Sequence, residues 1–368
     1  LARELEPIVK KLSKEGNTVY SFSKLGAFNQ CQYEYYITYI LGDRGIDNIY
    51  SITGSGIHSD LESIYEGKNI DLLESLNNTL SELEMLNINF MNDKVRDSWV
   101  ADMEHFCENF IKPEGEYITE QGFIFEVMPK VYIQGYIDLT QKHNKDTISI
   151  FDFKTSSKFD KKKLIEAGRQ LVLYGLANED KYKIQTIAWN MLKYLYVCSV
   201  LKNGKINKKM CNRGKWVKEI GTDTKTKDKK TNTYKITKSP LKRDLESLGY
   251  QEFEIDIILS ESVKNNNINN LPESVQLKYW LEDCILEYEF NKEKKNELLE
   301  YIKKTHKSII EKNHDKEDEW QPRDIENDNF YCSNLCNHRK RCKYLMEYYE
   351  RLKLGETKKD SEWEDLFG

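Results

Sequence analysis

Asp152 and Lys154 stand two residues apart in TISIFDFKTS, a run that otherwise reads as an apolar strand. Alternate side chains of a strand share a face, so Ile148, Ile150, Asp152 and Lys154 line one side, where a half-buried strand disfavours charge. In the preceding run, VYIQGYIDL, the same rule gathers Tyr132, Gln134, Tyr136 and Asp138. The intervening KHNKD reads as a turn. A hairpin centred near Lys145 sets Asp138 opposite Asp152. Facing carboxylates repel. A cation between them relieves the repulsion, and Mg²⁺ and Mn²⁺ favour oxygen ligands of this kind. Lys154 would then point at whatever the metal binds, where an ammonium can orient a water and offset developing charge. The same residues also fit a salt bridge between Asp152 and Lys154 with Asp138 as a polar residue near the turn. A one-residue slip of register would separate the two acids.

A second constellation is FYCSNLCNHRKRC, with Cys332, Cys336 and Cys342 inside one short segment. Three neighbouring thiols among basic residues, which lower thiol pKa, suggest metal ligation. A closed site needs a fourth ligand, and His338 and Cys31 both qualify. Cys107, Cys198, Cys211 and Cys284 are isolated and read as ordinary thiols.

The elements that must position these groups follow from periodicity. A helix is expected from about Ser23, with serine as its N-cap and Leu25, Phe28, Tyr35 and Tyr39 on one face. GSGIHSDLESIYEG predicts a helix entered through Gly54 and Gly56, with His58, Leu61, Glu62 and Tyr65 sharing a face. Residues 71–112 read as mostly helical, and 117–153 change to a period of two. Asp160 opens a helix, and QTIAWNMLKYLYVCSVL returns to strand. Residues 200–245 show no strong period and read as an insertion. LPESVQLKYWLEDCILEYEF and KKNELLEYIKKTHKSIIEK are expected as helices. The order suits a mixed α/β core with helices around a central sheet. The expected units are an α/β core over 1–199 with a helical insertion at about 60–115, a basic insertion over 200–270, C-terminal helices over 271–331, a cysteine segment over 332–345, and an acidic tail over 346–368.

The chain has 368 residues, 39% of them hydrophobic, with 23 tyrosines, six prolines and a net charge of -5. That supports a sizeable core and argues against long disordered linkers. No apolar run is long enough for a membrane span, and the first residues lack a signal-peptide pattern, so a cytoplasmic protein with no membrane partner is expected. Charge is uneven: between Lys202 and Arg243 there are 15 Lys/Arg against three Asp/Glu. Such a stretch is either a solvated insertion or a surface that draws in phosphates.

GYID (135–138) followed by DFK (152–154) resembles the PD-(D/E)xK nuclease superfamily, in particular its RecB-like exonuclease branch. YSFSKLGAFNQC (20–31), GSGIH (54–58) and QLVLY (170–174) are similar to further motifs of that branch, in the same order. The proline of the superfamily name is Ile137 here. The resemblance implies a restriction-endonuclease-like fold and metal-assisted phosphodiester hydrolysis, with Lys154 orienting the attacking water. It makes His58, Asp138 and Asp152 the ligands of Mg²⁺ or Mn²⁺, Lys154 the catalytic lysine, and Gln170 and Tyr174 flanking groups that contact nucleic acid. Glu120, on the preceding strand, is not counted in this set. DNA is the implied substrate.

The RecB-like branch that carries an iron–sulfur cluster, which includes AddB nuclease domains and CRISPR adaptation nucleases, has one cysteine before the nuclease motifs and three after them. Cys31, Cys332, Cys336 and Cys342 match that arrangement and imply a [4Fe–4S] cluster, although the spacing Cys332–Cys336 is wider than the branch's usual C-x2-C. Zinc on four cysteines, or on three with His338, is the alternative. The expected function is a DNA exonuclease in recombination, repair or replication. A CRISPR-adaptation nuclease and a DNA-binding scaffold are the rivals. The length and the Lys/Asn-rich composition would suit a bacteriophage, whose product would act in the host cytoplasm, or an AT-rich bacterium. No P-loop is present, so a helicase would be a separate partner. The tail, DSEWEDLFG, is similar to the end of sliding-clamp-binding peptides and implies docking to a replication or recombination protein. Alternatively, Trp363 and Phe367 pack on the protein's own core.

Overall fold

The computed structural model describes residues 4–201, 203–227 and 234–354. The N-terminal part contains α1 (Glu6–Lys14), β1 (Thr18–Ser21), α2 (Phe22–Gln30), α3 (Gln32–Tyr35) and a π-helical turn at Tyr36–Ile40. Three longer helices follow: α4 (Ile49–Tyr65), α5 (Leu72–Met85) and α6 (Asp93–Asn109). Then come β2 (Glu116–Met128), β3 (Val131–Lys142), β4 (Thr147–Lys154), α7 (Lys161–Asn178), β5 (Lys183–Val200) and β6 (Ile206–Asn212). A lobe holds α8 (Trp216–Gly221), β7 (Thr224–Lys227), β8 (Tyr234–Thr237), α9 (Pro240–Ser247), α10 (Glu252–Asn265) and α11 (Glu273–Gln276). The described chain ends with β9 (Tyr279–Tyr288), α12 (Lys292–Ile310) and α13 (Lys343–Lys353).

Pairing in the central sheet explains where a site can form. β2 runs antiparallel along the whole of β3. The other edge of β3 is shared between β1, parallel at Val131 to Gln134, and β4, antiparallel at Leu139 to Lys142. β5 is shared in the same way. β9 follows one edge, while β4 pairs with it up to Lys154↔Met191 and β6 from Tyr194↔Asn212 onward. β4 is thus a wedge between β3 and β5. Past its C-terminal end the sheet forks into a β1–β3 arm and a β5–β6 arm.

Burial on both faces holds β4 in the sheet interior, which accounts for its apolar run. Ile148 and Ile150 join the core formed with α2, α7 and α12. Phe151 and Phe153 face the core shared with α4, α5 and α6. A third cluster, built from Leu195, Val197, Cys211, Trp216 and neighbours, gives the lobe its own core on the far half of β5.

The helical insertion is fastened to the fork by buried charge. Between Asn190 and Leu195 the register of β5 against β9 shifts, and Lys193, on that bulge, reaches Asp102 of α6 at 3.8 Å. Asp102 also accepts from Gly214 N at 2.8 Å and Asn212 Nδ2 at 3.1 Å. Burial raises the Asp102 pKa and lowers that of Lys193, so each needs the other to stay ionised. Asp102→Ala would strand a buried ammonium and a backbone N–H, and a loss of about 3 kcal/mol is expected by urea unfolding. A variant as stable as wild type would show the network to be incidental.

Several local expectations are corrected. The N-cap of α2 is Ser21, whose hydroxyl accepts from Lys24 N, not Ser23. That helix does not run on through Tyr39: extended backbone at Cys31 breaks it. α4 begins earlier than expected, at an Asn48 capping box, and its glycines lie inside it. Residues 279–288, expected as helix, form β9. YWLEDCILEY satisfies both periods, and the free edge of β5, whose backbone groups need partners, decides for strand. The aperiodic 200–245 stretch contains β6, an integral sheet strand, as well as α8, β7, β8 and α9. The tail peptide 360–368, with Trp363 and Phe367, lies outside the described residues.

Candidate active site and cysteine cavity

The β3–β4 register pairs Leu139 with Phe151, and its next step along sets Asp138 opposite Asp152, as the hairpin centre at Lys145 requires. Both acids face the mouth of the fork. Asp138 Oδ2 accepts from Phe153 N at 2.9 Å and lies 3.3 Å from His58 Nδ1. Asp152 is buried, at 1% exposure. Its Oδ2 lies 2.6 Å from Lys154 Nζ but has no partner in hydrogen-bond geometry. Lys154 Nζ also donates to Gln170 Oε1 at 3.3 Å, and Gln170 Nε2 donates to the Tyr174 hydroxyl at 2.6 Å. The five residues from β3, β4 and α7, together with His58 of α4, therefore form one polar cluster.

Local sequence explains the placement. α7 is capped by Asp160, which accepts from Lys163 N, so Gln170 and Tyr174 fall one turn apart on the face toward β4. Gly54 lets α4 approach the end of β4: a Cβ there would lie 3.2 Å from Thr155 Oγ1. Gly135 is covered by Phe123, whose ring a Cβ would meet at 2.8 Å, and that ring packs edge-on against Tyr174 at 5.9 Å. The glycine of GYID thus supports the tyrosine across the sheet.

Burial, then Asp152, raises the Asp138 pKa to about 6, opposed by His58 and Lys154. Burial, then Asp152 and Asp138, raises the Tyr174 hydroxyl well above its ordinary value, so it is a neutral donor and acceptor. Two crowded carboxylates, an oxygen without a hydrogen-bond partner and an adjoining histidine fit a divalent cation by donor chemistry. Among the described residues, however, no group of three or more His, Cys, Asp or Glu side chains is closed into coordination geometry. Lys154 and Phe153 N meet the acids instead.

Three neighbours were missed or set aside in the sequence. Glu120 has a left-handed φ of 46° in the middle of β2, a strained conformation for this residue type. Burial, then Asp138 and Glu62, raises its pKa to about 7. Its signal was its strand position opposite Asp138. Glu62 lies four residues after His58 on α4. Lys163 lies seven before Gln170 on α7, within electrostatic reach of Lys154; helical spacing alone would have found it, as it put Glu62 on the face of His58.

The four cysteines singled out in the sequence line one small cavity, with Glu34, Arg323, Tyr331 and His338 around them. Cys31, in the break between α2 and α3, accepts from Glu34 N and Arg323 N at 3.4 Å each, and Cys336 accepts from His338 N at 3.4 Å. The thiols are not acidified by their basic neighbours as expected. Burial dominates and raises all four, Cys332 to about 12. His338 is buried, its Nε2 2.9 Å from Thr38 Oγ1 and its Nδ1 without a partner. The remaining cysteines are free thiols elsewhere in the fold.

The walls of this cavity join distant parts of the chain. Asn48 Nδ2 donates to Leu335 O at 2.7 Å, and Tyr331 donates to Glu34 Oε2 at 2.8 Å. Trp320 stacks on Tyr35 and Tyr36 at 5.8 and 5.5 Å.

A forked mixed sheet with helices on both faces, carrying an acid pair and a lysine where β4 ends, defines a nuclease of the restriction-endonuclease type. The family profile of the PD-(D/E)XK nuclease superfamily matches residues 19–343, and the chain belongs to that superfamily. Nucleases of this kind typically use Mg²⁺ or Mn²⁺. No curated protein matches the chain significantly. Among the described residues, no helix is long and apolar enough to cross a membrane.

Proposed function

We propose that the protein is a divalent-metal-dependent DNA exonuclease of the RecB-like branch, acting in recombination, repair or replication. The observation that carries this reading is the convergence of His58, Asp138, Asp152, Lys154, Gln170 and Tyr174 at the fork. His58, Asp138 and Asp152 would hold Mg²⁺ or Mn²⁺, which supplies Lewis-acid polarisation of a phosphodiester. Lys154 keeps its ammonium between Asp152 and Gln170, close enough to donate to a phosphate oxygen or to an attacking water. Gln170 fixes Lys154 through its carbonyl and is itself held by Tyr174, which Phe123 braces. Glu120, which Asp138 influences electrostatically, would be a further acidic neighbour of the cation.

In the same reading, Cys31, Cys332, Cys336 and Cys342 would hold a [4Fe–4S] cluster, with zinc as the alternative. What favours the metal is the gathering of four cysteines on one cavity, with backbone N–H groups donating to Cys31 and Cys336. The cluster's role is to fasten residues 31–48 to the C-terminal segment. The whole reading is tested by incubating the protein with end-labelled linear and with circular DNA, with and without Mg²⁺ or Mn²⁺. Metal-dependent loss of linear DNA with circles spared is expected. Cleavage of circles would make the enzyme an endonuclease, and binding without cleavage would make it a scaffold.

A further inference from the structure

The hairpin β7–β8 stands apart from the rest of the molecule. All four residues of each strand are exposed, on both faces. A two-stranded hairpin with no covered face is marginal in water, so its persistence calls for something to lie on it. Its register pairs Lys225 with Ile236 and Lys227 with Tyr234, which puts these four side chains on one face. The Tyr234 ring is 58% exposed and has the ammonium groups of Lys225 and Lys227 at 4.5 and 5.9 Å from its centre. Ile236 beside it is 67% exposed. The opposite face carries Thr224, Thr226, Lys235 and Thr237, and neither strand contains an acidic residue.

An open aromatic ring between cations, on two strands whose described residues include no acid, matches the chemistry of an unpaired nucleotide. A base offers a π-face to stack, and its flanking phosphates offer charge to the lysines. Duplex DNA keeps its bases stacked internally and would engage the lysines alone. We infer that the β7–β8 ribbon is a stacking platform for single-stranded nucleic acid, with Tyr234 as the base-contacting side chain and Lys225 and Lys227 as phosphate contacts. This rests on the nuclease reading and adds to it a preference for substrates with an unpaired strand.

The test is fluorescence anisotropy with the full chain in EDTA, where no cleavage occurs, using labelled oligo(dT) and a blunt duplex. Tyr234→Ala is expected to weaken oligo(dT) binding roughly tenfold and to leave duplex binding unchanged, while Tyr234→Phe binds as wild type. Lys225→Ala with Lys227→Ala should flatten the salt dependence on oligo(dT) by a slope of about 1.4. Unchanged oligo(dT) affinity in Tyr234→Ala, or an equal loss on duplex, overturns the platform. A wild-type protein that does not cleave in Mg²⁺ or Mn²⁺ but shows the Tyr234 effect would overturn the nuclease reading and leave the platform standing. Cleavage without the Tyr234 effect would do the reverse.

Discussion

Asp152→Ala and Lys154→Ala should each lower DNA cleavage by about 10³-fold or more, the loss seen when one charged partner of a reacting phosphate is removed from a preorganised site. Asp152 is the more telling position. The residue is 1% exposed, and Lys154 is the one close cation it has among the described residues. With Asp152 removed, Lys154 keeps Gln170 as an acceptor, so the fold should survive and near-native circular dichroism is expected. Lys154→Ala leaves Asp152 buried without its cation, so its thermal stability should fall more than that of Asp152→Ala. Cleavage rates under saturating Mg²⁺, with DNA affinity measured in Ca²⁺, separate chemistry from binding. Rates near wild type in either variant would remove that residue from the mechanism.

The second large effect concerns the cysteine cavity. Protein purified without oxygen should be brown, and Cys31→Ser should cost as much stability as Cys336→Ser although the two lie at opposite ends of the fold's sequence. Four thiols, one buried and three half-buried, whose pKa values are all raised gain little from one another. A metal that takes them as thiolates converts its binding free energy into folding free energy. A drop in melting temperature of more than about 5 °C is expected for either variant, given a loss of a few kcal/mol. Colourless protein with stoichiometric zinc would replace the cluster by zinc. Metal-free wild type with the stability of both variants would leave the cavity a packing feature.

The acid pair, the lysine and the cysteine set were legible in the sequence because their signals are local or ordered. Alternation along β3 and β4 set the facing of Asp138 and Asp152, and Asp160 marked the start of α7. What escaped depends on partners far along the chain. Nothing in YWLEDCILEY says that an unpaired edge of β5 awaits it. The left-handed φ of Glu120 falls where β2 passes Asp138 of β3, a pairing between strands that no window of residues carries. Thiol pKa misled for a related reason: nearby arginines and lysines are visible in sequence, whereas burial, which outweighs them, is not.

The fastening of residues 31–48 to 320–342 has a consequence for the timing of synthesis. Asn48 caps α4, the helix that carries His58, and is itself held by the carbonyl of Leu335, 287 residues later. A chain emerging N-terminus first can form β2–β4 and α7 early, since their contacts are near in sequence. α4 acquires its anchor only after residues 320–342 have left the ribosome. A nascent chain therefore places His58 through the apolar packing of α4 on α5, α6 and Phe153, and the last-made segment adds the brace on the helix's first turn.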